Sequence, residues 1–167
     1  MGLYVVSIHD GDPSKAFVRF DLRDILAALG EVVDRYMWCV LDIEVTGERA
    51  EAIHARVDAA PEKHLWLSSA ELRELASDIE QTIDGTVAAY LLDTRRENLP
   101  EHDMSTRWFP TNQMQLVIAA VDSSCFDVYA KENRAIERIT AAFKDVRAHD
   151  AAEVFGSEPP ADLSPRR

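Results

Sequence analysis

The run Leu116-Val-Ile-Ala-Ala-Val121 constrains the fold more than any other feature of the chain. It is apolar at every position, so both faces of a strand formed there need cover, which places it centrally in a sheet. The run begins at Gln113, and Asp122-Ser123-Ser124 after it supplies side chains that bond their own backbone in turns. Cys125-Phe-Asp-Val-Tyr129 then alternates, with Phe126 and Val128 on one side. Ile136, Ile139 and Phe143 follow at helical spacing. Residues 113–143 therefore predict a hairpin with a helix packed back on it.

Upstream, Tyr4, Val6 and Ile8 point one way along a first strand, which His9-Asp-Gly-Asp-Pro13 breaks. Ala16 to Phe20 reads as its partner, making 3–20 a hairpin. Asp21 is placed as a helix N-cap ahead of Leu22, Ile25, Leu26 and Leu29, and Gly30 either ends that helix or is passed over, since Val33 continues the period. The clearest alternation is Met37 to Val45. Met37, Cys39, Leu41, Ile43 and Val45 are expected to face the core, with Tyr36, Trp38, Val40, Asp42 and Glu44 on the other face, where the two aromatics are core as well if helices cover it. A helix over 48–59 stops at Pro61, and Leu65-Trp-Leu67 suits a short edge strand. Ser68 and Glu71 form a capping box for a helix carrying Leu72, Leu75, Ala76, Ile79 and Ile83, ended by Asp84-Gly85. Thr86 to Leu92 is a further strand, and 93–112 is a long loop without periodicity.

These elements predict one α+β domain over 1–155, with a mixed or mainly antiparallel sheet and about three to four helices mainly on one face. The loops lack the glycine-rich βα turns of a parallel doubly wound sheet. From Gly156 onward, Pro159, Pro160 and Pro165 among small polar residues predict a disordered tail.

The net charge is −12, and residues 1–84 hold 17 acids against 8 bases. Such acidity repels nucleic acid and anionic membrane and attracts basic partners. No apolar run approaches the ~18 residues of a membrane span. The N-terminus lacks the basic-then-apolar pattern of a secretory signal, so a cytoplasmic setting is expected. Cys39 and Cys125 both fall in apparent strands and read as free thiols.

No catalytic or metal-binding motif is present, and no cofactor is expected. Asp122-Ser123-Ser124 beside Cys125 has no Gly-x-Ser-x-Gly elbow and no recommended histidine base. His9-Asp10-Gly11-Asp12 is better explained as a turn than as a cation site, and His54 as a packed histidine. Two binding readings remain. In the first, a non-catalytic acidic protein recognises a basic protein partner through Tyr36, Trp38, Asp42, Glu44, Glu71, Glu74 and Asp78. In size, acidity and lack of catalytic motif it is similar in kind to the immunity proteins that neutralise basic nuclease toxins. In the second, an enzyme or ligand-binding domain holds a small anion on loop 93–112, through Arg95, Arg96, His102, Arg107 and Trp108. The two differ in a visible way: the second needs a concave site beside that loop with arginine facing inward. A homo-oligomer would instead join copies across an apolar patch around Tyr36 and Trp38.

Overall fold

The structure, a computed structural model, describes residues 2–10, 20–100 and 104–156. It is an α+β domain built on one seven-stranded sheet. The strands are β1 (Tyr4–Ile8), β2 (Tyr36–Thr46), β3 (Leu65–Leu67), β4 (Gln81–Leu91), β5 (Leu116–Val121), β6 (Cys125–Ala130) and β7 (Val146–His149). Their order is β3-β2-β4-β5-β6-β1-β7, and every pairing is antiparallel. Among the described residues the helices are α1 (Leu22–Leu29), α2 (Ala50–Asp58), α3 (Ser69–Ser77), α4 (Asn133–Ala142) and α5 (Ala151–Phe155). None is long and apolar enough to cross a membrane.

The β5–β6 hairpin sits at the heart of the sheet, as its uniform apolarity requires. Val117 and Ile118, adjacent in sequence, are both fully buried, one in each of two apolar clusters. The larger cluster joins α1, α2, α3 and α4 to one face of the sheet. The smaller lies on the opposite face, under loop 93–115 and α5, around Cys39, Tyr90, Phe109 and Met114.

β2 departs from the expected face assignment. Val40 lies opposite Val87 while Asp42 lies opposite Thr86, so Leu41 is an extra residue and the pleat reverses there. Tyr36, Trp38, Val40, Ile43 and Val45 consequently share the helix-covered face, and Met37, Cys39 and Leu41 turn to the other. Strict alternation put Met37, Cys39 and Leu41 with Ile43 and Val45, and the bulge separates them.

Two further expectations are corrected, and a third, the 3–20 hairpin, lies mostly outside the described residues. Both edges of β1 are occupied, by β6 and β7. Residues 11–19, which hold most of the expected partner strand, lie outside the described residues, as does the tail from 157. Helix α3 ends at Ser77, and Ile83 and Gly85 belong to β4. Gly85 has φ +148°, and a Cβ there would stand 2.8 Å from the Asp42 carbonyl oxygen and 2.9 Å from Ile43 Cα. Glycine is therefore demanded by a close strand crossing beside the bulge, not by a helix end.

One buried carboxylate locks the helices to the sheet. Asp21, 4% exposed, caps α1 and accepts hydrogen bonds from Thr82 N–H at 2.7 Å and Thr82 Oγ1 at 2.5 Å. His54 Nε2 likewise accepts the Val45 N–H at 3.3 Å, the packed role expected of it.

Candidate ligand groove at the sheet edge

Burial sorts the residues expected at a protein contact. Trp38 is fully buried, its Nε1–H donating to the Val33 carbonyl at 3.0 Å, and it meets Tyr36 edge-on at 6.3 Å. Both are core side chains, which removes them from any surface and removes the apolar patch that an oligomer contact would use. Their large apolar area is spent under the helices because the bulge turns that side of β2 inward. Glu71 accepts from Ser68 N–H at 2.7 Å and Ser68 Oγ at 2.8 Å, and those bonds hold its pKa below the usual value. It lies 3.9 Å from Arg56, and Asp78 lies 3.8 Å from Arg49. Glu74 is exposed on the same helix.

Asp42 and Glu44 are exposed on the opposite face of the sheet, where Glu44 stands directly across from Asp84. None of these three makes an ion pair with a described residue. The acids expected to form one patch are thus divided by the sheet.

The loop residues also divide. Arg95 and Arg107 are exposed, and Trp108 is half-buried, its carbonyl accepting the N–H groups of Thr111 at 2.9 Å and Asn112 at 2.8 Å. The true anchor of the loop is its neighbour Phe109, fully buried against Tyr129 and Phe155. His102 lies outside the described residues. Arg96 is exposed as well but rests on an aromatic ring. Its guanidinium lies over the Trp66 ring, 5.1 Å from the centroid, and has no ion pair with a described residue.

Arg96 and Trp66 line an open cavity of about 620 Å³ with Arg56, His64, Leu99 and Met104. Trp66 is held from behind by Tyr90, ring to ring at 5.0 Å, and the Tyr90 hydroxyl contacts Met104 Sδ at 3.5 Å. The stem of this stack is rigid because Tyr90 is fully buried in β4. Sequence reading found Arg96 as one of several arginines, but missed Trp66 and Arg56. Only the pairing of β3 with β2 brings Trp66 over to Tyr90 and the loop. Glu62 and Glu97 also line the cavity.

A second polar cluster lies on β1, β6 and β7. Ser7 Oγ donates to Asp127 Oδ1 at 2.5 Å and contacts His149 Nε2 at 2.8 Å. The residue types are those of a hydrolytic triad, but the serine stands in the middle. With its proton on Asp127, Oγ must accept from Nε2–H, and histidine cannot then serve as its base. Ser7 is also buried. The cluster ties the sheet together.

The cysteines are no better placed for nucleophilic chemistry. Burial pushes the Cys39 thiol up to about 12, and burial with nearby Asp127 raises Cys125. Ser124 Oγ closes its own turn by donating to the Val121 carbonyl at 2.9 Å. Asp10 is equally committed, accepting the Lys144 N–H at 2.9 Å. Among the described residues no group of three metal-ligating side chains is assembled. Comparison with protein-family models, with curated proteins and with solved structures finds no match for this chain.

Proposed function

We propose that the protein binds an anionic ligand with a flat or apolar body in the groove between β3 and the loop after β4. The observation that carries this reading is the Arg96 guanidinium, stacked on Trp66 in a concave site and without an ion pair to a described residue. A planar fork held over an aromatic face is prearranged for a carboxylate or phosphate, and the Trp66, Leu99 and Met104 surface suits an apolar body. The test is titration with small dicarboxylates and inorganic phosphate, followed by calorimetry. Arg96→Ala should weaken binding at least tenfold, an effect of about 1.4 kcal/mol or more. Equal binding by wild type and Arg96→Ala would refute the assignment.

A second reading is favoured by Glu44 facing Asp84. Like charges directly opposite across strands are unfavourable in the free protein. A basic protein partner covering that exposed face would relieve the repulsion, and salt would weaken the contact. Its residues are Asp42, Glu44 and Asp84. Capture from lysate at low salt that survives Glu44→Gln with Asp84→Asn would refute it.

A further inference from the structure

We infer that the groove's ligand is an extended peptide segment bearing a carboxylate, which adds to the free edge of β3 as an eighth strand. The inference rests on the anion-binding reading of the same groove and names its ligand class.

The placement follows from topology. Helix α2 packs on one face of the sheet through Ile53 and Val57, whereas Leu99 and Met104 pack on the other. Yet Arg56, Ala59 and Ala60, at the end of α2, line the same cavity as Leu99 and Met104. A cavity reached from both faces must pass around the rim of the sheet, and β3 is the strand at that rim. Leu65 and Trp66 of β3 line it directly.

Among the described residues β3 pairs with β2 alone, with Trp66 opposite Cys39 and Leu67 opposite Trp38. In an antiparallel ladder alternate residues turn their N–H and C=O groups away from the partner strand. Among the described residues no further strand lies beyond β3, and Leu65 and Trp66 border the cavity on that side. An exposed strand edge is a template for an incoming segment. Here the template is walled by α2 on one side and the loop on the other, which confines the approach to an extended chain in the plane of the sheet. The lining holds Arg56 and Arg96 but also Glu62 and Glu97, and Arg56 lies 3.9 Å from Glu71; Arg96, with no ion pair to a described residue, is the cation placed to take a carboxylate. A carboxylate side chain directed to the Trp66 face would meet the Arg96 fork, and its neighbours would meet Leu99 and Met104.

The probe is a capped five-residue peptide alternating valine and glutamate, titrated into the full chain by calorimetry. Its comparators are the glutamine version, two versions N-methylated on alternate residues in either phase, and glutarate. Strand addition predicts that one N-methylation phase weakens binding at least tenfold while the other leaves it within about twofold. It also predicts that Arg96→Ala lowers peptide affinity to that of the glutamine version. If both methylated peptides bind as the parent does, strand addition is overturned, while Arg96-dependent binding of glutarate still upholds the anion site. If glutarate binds and no peptide does, the outcome is the same. If neither binds, both readings fall.

Discussion

The two faces of the sheet are built from the same strands yet differ in how they are covered. The helix-bearing face is continuous: α1 to α4 enclose Trp38, Tyr36 and the apolar residues of β1, β4, β5 and β6 in one cluster. The other face is closed only in part, by Phe109, Met114 and Phe155, leaving Asp42, Glu44 and Asp84 exposed. Four amphipathic helices can cover a face completely, whereas a loop covers what its few anchors reach. The groove lies where the two kinds of cover meet, at β3. Specific binding is therefore expected at that junction, while the helix face carries stability.

Substitutions should separate the roles. The largest effect is expected from Trp38→Ala, which empties a fully buried site under the helices and should cost about 3–5 kcal/mol in denaturant unfolding. A loss under 1 kcal/mol would mean the helix cover is loose. Asp21→Ala leaves the buried Thr82 donors and the α1 cap unsatisfied, and should cost about 2–4 kcal/mol. Gly85→Ala imposes strain at the β2–β4 crossing of about 1–3 kcal/mol. On the partly covered face, Arg96→Ala should change stability by no more than about 0.5 kcal/mol while removing ligand affinity, which is the mark of a binding residue. Smallest is the pH effect of Glu71. Its folded pKa lies below the ordinary value, so its contribution is present at neutral pH and is lost as pH falls through the carboxylate range. Glu71→Gln should flatten that acid limb of the stability profile, and an unchanged limb would show that the capping box does not form in solution.

Much of the architecture was legible because local signals and tertiary burial agree. The capping residues Asp21 and Ser68, the alternating β6 and the uniformly apolar β5 each announce one structure. Legibility failed where one extra residue reverses the pleat: nothing local at Leu41 distinguishes a bulge from continued alternation, so strict alternation puts Trp38 on the face opposite Ile43 and Val45. β7 escaped notice because an edge strand with three exposed residues carries no apolar period. For the site, Arg96 stood out as a base in an acidic chain, but its partner Trp66 comes from a three-residue strand 30 positions earlier. Such a pairing is a product of sheet order alone. The hydroxyl, carboxylate and imidazole of Ser7, Asp127 and His149 likewise meet only because β1 enters between β6 and β7.

The most direct test follows the three indole N–H resonances in a proton–nitrogen correlation spectrum during titration with glutarate. Trp38 is bonded to Val33 in the core, Trp66 lies beneath Arg96, and Trp108 sits in the loop turn. The Trp66 signal should move with saturation, Trp38 should stay fixed, and Arg96→Ala should abolish the response. A static Trp66 signal, or one that moves equally in Arg96→Ala, would contradict a binding site at the sheet edge.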